Sequence, residues 1–128
     1  MAFDHCSFQV LDMQQAIEFY AGKLGFSVLS VNINEAVREK YAFLEYQGAK
    51  LELIEDLDGE FTKPVLSKHL CPHLCFEVDD LDAVVETLQQ KGIAIIGGPH
   101  LMEDEETWLY IKDNDNNVME YIQWFNKK

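Results

Sequence analysis

Arginine is almost missing. The ten Lys and Arg residues include one arginine, Arg38, and they face 23 acidic residues for a formal net charge of −13. Binding to nucleic acid or to an anionic membrane needs clustered Lys and Arg, so neither is expected as a partner. There is no apolar run near the roughly 20 residues that span a bilayer. The stretch Met1-Ala2-Phe3-Asp4-His5 lacks the basic and apolar regions of a signal peptide, so a cytoplasmic location is expected. Cysteine is sparse: Cys6, Cys71 and Cys75 are odd in number and form no CxxC pair. A disulfide framework is therefore not expected. With 128 residues, 48% of them hydrophobic, the chain is long and apolar enough for one domain with a buried core.

What the chain does contain is a repeat. His5 and Glu52 are 52 − 5 = 47 residues apart, and His73 and Glu120 are 120 − 73 = 47 apart. The copies are offset by 73 − 5 = 68, and Phe8/Phe76, Val10/Val78, Asp12/Asp80 and Ile54/Ile122 keep that offset. A repeat of this kind sets the architecture and is read before anything else.

Each copy predicts the same elements. Residues 3–11 alternate as a strand, with Phe8 and Val10 on one face and His5, Ser7 and Gln9 on the other. Asp12, with Gln15 three residues on, is a helix N-cap and capping box. Ala16, Ile17, Tyr20 and Leu24 form the helical stripe, and Gly25 the stop. Strands are expected at about 26–33, 40–46 and 50–55, with Gly48 in the last hairpin. In the second copy a strand at 72–78 leads through Asp79-Asp80 to a helix striped by Leu81, Val84, Val85 and Leu88 and ended by Gly92. Strands near 93–97, 106–112 and 118–124 follow, and Asp113-Asn114-Asp115-Asn116-Asn117 is a turn. The fold class is thus α+β, as two βαβββ modules: about 1–56 and 71–125, joined by a linker at about 57–70.

Side-chain alternation places the repeated polar residues. Leu51 and Leu53 belong to the helix-covered face, so Glu52 takes the opposite one. Met119 and Tyr121 leave Glu120 on the same side of its own strand. A carboxylate between apolar neighbours needs a partner or a polar cavity. Two imidazoles and two carboxylates brought together by a pseudo-two-fold axis suit a divalent metal ion, with His5, Glu52, His73 and Glu120 as ligands. Cys71 and Cys75 share a strand face with His73, but no second cluster of that kind exists, and they are read as buried or lining residues. His69 and His100 fall in expected loops and are read as surface residues. Trp108, Tyr110, Tyr46 and Phe43 are read as core or pocket wall.

The chain resembles the vicinal oxygen chelate superfamily, which includes glyoxalase I, methylmalonyl-CoA epimerase, extradiol dioxygenases, fosfomycin-resistance enzymes and bleomycin-binding proteins. The resemblance rests on His5 with the following Phe-x-Val-x-Asp, on Leu51-Glu52-Leu53, on His73-Leu74-Cys75-Phe76-Glu77-Val78-Asp79, and on Asp113-x-Asp115-x-x-x-x-Glu120. It implies one domain over 1–128 whose two modules form a curved, incomplete barrel around a metal. It also implies homodimers, sometimes with modules exchanged, and a small-molecule substrate. Glutamate at position 52 is closest to the four-ligand pattern of glyoxalase I and the epimerase. The implied activity is that of a lactoylglutathione lyase-like metalloenzyme, a lyase or isomerase using Ni, Co, Mn or Zn. Its proton transfer would pass through a metal-bound enediolate of a small 2-oxo compound or its thiol adduct, with Glu120 and Glu52 as bases. Two alternatives remain open: an Fe(II) extradiol-type dioxygenase, and a non-enzymatic drug-binding protein of the bleomycin-resistance type. Two positions depart from the glutathione-holding pattern: Gln9 stands where short bacterial glyoxalases carry arginine, and Asp56 where they carry asparagine. The acidic run 103–106 disfavours the carboxylates and phosphates of glutathione or coenzyme A.

Overall fold

Two-residue periodicity makes this mostly a strand protein, and the repeat divides it in two. A computed structural model describes all residues, 1–128. It forms two compact units, Met1–Pro64 and Val65–Lys128. In the first, β1 (Cys6–Gln9) leads into α1 (Met13–Ile17), then β2 (Ser27–Asn34), β3 (Glu39–Tyr46) and β4 (Ala49–Asp56). In the second, β5 (His73–Glu77), α2 (Leu81–Gln90), β6 (Gly97–Met102), β7 (Glu106–Lys112) and β8 (Val118–Trp124) follow in the same order. Each unit has one four-stranded mixed sheet, ordered β1-β4-β3-β2 and β5-β8-β7-β6, and neither closes into a barrel. The first strand of each pairs in parallel with the last, which requires the intervening helix as a crossover. No helix is long and apolar enough to cross a membrane.

The repeat persists down to single hydrogen bonds. Asp12 accepts from Gln15 N at 3.1 Å, and Asp80 from Ala83 N at 3.2 Å, which caps each helix. Val10 N donates to Ile54 O at 2.9 Å, and Val78 N to Ile122 O at 2.8 Å. The last strand also reaches back to the helix start. Met13 N donates to Glu55 Oε1 at 2.6 Å, and Leu81 N to Gln123 Oε1 at 2.8 Å. These first-turn N–H groups have no partner within their helices, and Met13 and Leu81 are buried. Glu55 is thus a helix anchor.

The helix-facing sides of the sheets form the cores. Leu51, Leu53, Ala42 and Leu44 are sealed in the first unit with Met13 and Tyr20. Leu109, Ile111, Met119 and Leu81 are sealed in the second. The β3–β4 hairpin turns on Gln47 and Gly48, both at positive φ, as a two-residue type I′ turn requires.

Two elements differ from expectation. The first helix is α-helical only to Ile17, and Glu18–Lys23 continues as π-helical turns, with Leu24 N bonded to Phe19 O. The wider turn lets Phe19 and Tyr20 both reach the core. The strand expected at 93–97 lies further on, at Gly97–Met102. Residues 93–96 are the helix exit, where Ile93 is buried, and pairing starts with Ile96 N to Tyr110 O at 2.8 Å.

The helix anchor gives a direct test by urea unfolding. Glu55→Ala strands a buried N–H and should cost about 1–3 kcal/mol. Glu55→Gln, which copies the second unit's own solution, should cost less than about 0.5 kcal/mol. Equal losses for the two would remove this role.

Candidate functional site

In each unit the histidine stands at or just before the first strand, and its glutamate lies on the neighbouring last strand. Parallel pairing puts Ser7 opposite Glu52 and Cys75 opposite Glu120. On the other side, Glu52 neighbours Phe43 and Glu120 neighbours Tyr110. Both glutamates are thus flanked by a small donor two residues after the histidine and by an aromatic ring from the third strand.

The structure brings His5 to Glu52 and His73 to Glu120. His5 Nε2 is 3.5 Å from Glu52 Oε1, and His73 Nε2 is 3.1 Å from Glu120 Oε2. Each ring packs edge-on to the aromatic neighbour of its glutamate: His5 on Phe43 at 5.1 Å, His73 on Tyr110 at 5.3 Å. The far nitrogens are tied as well. His5 Nδ1 is 2.7 Å from Asp4 Oδ2, and His73 Nδ1 is 3.0 Å from Leu70 O. A carbonyl oxygen only accepts, so His73 Nδ1 carries the hydrogen and Nε2 faces Glu120. Asp4 acts in the same way, because its bonds to His5 and Lys50 hold its carboxyl below the ordinary value. Leu70 adopts a left-handed φ of +55°, uncommon for a branched residue, and this turn supplies the carbonyl. Ser67 secures the turn by accepting from Cys71 N at 3.0 Å.

These pairs fit half of a metal centre each. A neutral imidazole with hydrogen on Nδ1 points a lone pair from Nε2 at a carboxylate oxygen, which is repulsive unless a proton or cation lies between. Ligand atoms about 2.0–2.2 Å from one ion lie about 3–3.5 Å from each other, the separations seen here. Tying the far ring nitrogen to a carboxylate or carbonyl is the usual support for a metal-bound histidine. No group of three or more His, Cys, Asp or Glu side chains is arranged to hold a metal in the chain, so each unit offers two donors.

The two pairs are supported unequally. Glu52 Oε1 accepts from Ser7 Oγ at 2.7 Å, a strong O–H bond. Glu120 has the Cys75 thiol in that role, a much weaker donor. Although Cys75 is exposed as a residue, burial around its thiol and the Glu120 charge push its pKa up to about 12. Burial and the same charge also raise that of Tyr110. Nothing but the offset of 68 between Ser7 and Cys75 marked this pair in the sequence.

His69 and His100 are both exposed, as expected, and His69 lies in a turn, but His100 is on β6 rather than in a loop. Both border a cavity of about 540 Å³ in the second unit, together with His73, Trp108 and Tyr110. The strand shift described above is what carries His100 there.

Comparison with known proteins completes the description. The family model of the glyoxalase/bleomycin resistance protein/dioxygenase superfamily matches residues 2–121. A probable lactoylglutathione lyase of Vibrio cholerae is 30% identical over 125 residues, covering 93% of this chain and 88% of that protein. A glyoxalase family protein from Enterococcus faecalis superposes with a TM-score of 0.79 at 22% identity, covering 94% of this chain and 96% of the other. TnmS3, an antibiotic binding protein from Streptomyces sp. CB03234, superposes with a TM-score of 0.72 at 22% identity over 97% of both chains. At these identities the two solved structures show the fold.

The Cys75–Glu120 contact predicts a labelling pattern. Only thiolate reacts with iodoacetamide, so at pH 8 Cys75 should label far more slowly than Cys71, although both are exposed. Glu120→Gln removes the negative charge, lowers the Cys75 pKa and should speed its labelling several-fold. Peptide mass spectrometry reads both; an unchanged Cys75 rate in the variant would show that the two groups do not interact.

Proposed function

This chain belongs to the glyoxalase/bleomycin resistance protein/dioxygenase superfamily, and from that premise we propose that it is a metal-dependent lyase or isomerase of the glyoxalase I type. The supporting observation is the duplicated His–Glu pair: Nε2 facing a carboxylate at 3.5 and 3.1 Å, with both far ring nitrogens tied. His5, Glu52, His73 and Glu120 would hold one divalent ion, Ni, Co, Mn or Zn. Each unit offers two of these donors. When bound, the ion would polarise a carbonyl and acidify the neighbouring C–H.

The carboxylates then divide the remaining work. Ser7 anchors Glu52 with an O–H bond of 2.7 Å, so Glu52 serves as the fixed donor. Glu120 lacks that hydroxyl anchor, having the Cys75 thiol in its place and His73 Nε2 at 3.1 Å, and would be the base. Its carboxylate takes a proton from the carbon next to the carbonyl and returns it to the adjacent carbon, turning a 2-oxoaldehyde–thiol adduct into a 2-hydroxy thioester. Substrates are small 2-oxo compounds or their adducts with small thiols, because Gln9 and Asp56 replace glutathione-holding residues and the overall charge is −13. A homodimer is the proposed assembly. Val28, Leu29, Val31 and Ile33 leave β2 with an exposed apolar surface that a further copy would cover. A second reading, capture of a small molecule without chemistry, draws support from the aromatic cavity beside His73 and from the likeness to an antibiotic binding protein.

Metal analysis of protein purified without chelators separates these readings. About one Ni, Co, Mn or Zn per His5/Glu52/His73/Glu120 set is expected, together with turnover of a methylglyoxal–thiol adduct. Glu52→Gln should lower metal content at least tenfold. Glu120→Gln should cut turnover by about 10²–10⁴ while retaining more metal than Glu52→Gln. Iron with oxygen uptake would indicate a dioxygenase instead. Metal-free protein with unchanged ligand capture in both variants would indicate a binder.

A further inference from the structure

Three of the four histidines, His69, His73 and His100, line one cavity. Its volume of about 540 Å³ suits a small organic molecule, for which sites of roughly 300–1,000 Å³ are usual. Lys68 joins the histidines on its wall, and no Asp or Glu lines it, in a chain with 23 acidic residues. None of the chain's ion pairs uses Lys68, His69 or His100. Part of the wall is aromatic. The His100 ring lies 5.3 Å from Trp108, tilted by 42°, and 6.5 Å from Tyr110, edge-on at 62°.

Local backbone irregularity makes this room. The β6–β7 register shifts between Gly97 and His100, and such bulges re-aim the side chains beside them. A Cβ on Gly97 would stand 3.2 Å from both Leu70 and Tyr110, which are cavity residues. Gly98 has a φ of +86°, and a Cβ there would meet Trp108 O at 2.8 Å. Both glycines are therefore needed for His100 to lie against Trp108 and for the wall to stay open.

We infer that this cavity binds a flat aromatic group carrying a single acidic function, as the non-reacting part of the substrate. The ring stacks on Trp108 with Tyr110 and His100 packed around its edge, and the acid meets Lys68 and His69. A neutral ring would gain nothing from the cationic edge. A polyanion would meet one lysine and then the field of a strongly acidic protein. The assignment of this group to the substrate rests on the reading of the His73–Glu120 pair above, because His73 borders both; the binding site itself stands on the cavity.

The test uses 2-naphthoate as the probe and full-length, chelator-treated protein, so that no metal contributes. Binding is followed by calorimetry and tryptophan fluorescence. 2-Naphthoate should bind at least tenfold more tightly than 2-naphthamide, which lacks the charge, or acetate, which lacks the ring. Trp108→Leu should weaken naphthoate about tenfold. Lys68→Gln and His69→Gln, on an exposed turn that carries little of the fold, should each weaken it about threefold or more. Equal affinity for the amide, or indifference to both turn variants, overturns the assignment. Naphthoate binding by protein that never takes up metal supports the cavity and removes the metalloenzyme reading. Metal uptake without naphthoate binding overturns the cavity assignment alone.

Discussion

An imidazole aimed at a carboxylate is stable only with a cation or proton between them, and this protein builds that situation twice. The pairs do not arise from chance surface contact. Parallel pairing of the first and last strands fixes the glutamate beside the histidine strand, and a tied Nδ1 fixes the ring. Both pairs lie on the sheet faces away from the helices, while Leu51, Leu53 and Met119 seal the opposite faces. The core thereby holds the carboxylates in register, since a slip of one residue would bury Glu52 or Glu120 among leucines.

Around these pairs the two copies share a frame and differ in detail. Helix caps, the strand-to-helix anchors and the strand-closing backbone bonds recur at the offset of 68 residues. The differences fall at the pairs themselves. Asp4 ties one ring and a strained Leu70 turn ties the other. Ser7 supports one carboxylate and Cys75 the other. The proposed division of anchoring and proton transfer between the two glutamates rests on that difference. The second unit also carries the cavity, with His73 on its wall.

Much of this was legible in the sequence, for identifiable reasons. Glu52 between Leu51 and Leu53 shows its face by alternation alone, and Gly48 marks its hairpin. The repeat names all four polar residues and gives the α+β architecture that the family match supports. Long-range contacts were not legible. Glu55 and Gln123 look like ordinary strand residues, and only tertiary structure shows them holding helix starts. The apolar run Ile93, Ile95, Ile96 suggests a strand by composition, yet the sheet pairs through Gly97–Met102 instead. That displacement also moved His100 onto a strand, where its position depends on the bulge between Gly97 and His100. The π-helical turns after Ile17 leave no periodic trace short enough to read.

X-ray absorption of the cobalt-loaded protein addresses the duplicated pair without reference to substrate or rate. Joint ligation by both units predicts nitrogen and oxygen neighbours only, with outer-shell scattering from two imidazoles per cobalt. A single imidazole, or a sulfur neighbour near the ~2.3 Å of a metal–thiolate bond contributed by Cys71 or Cys75, would contradict it.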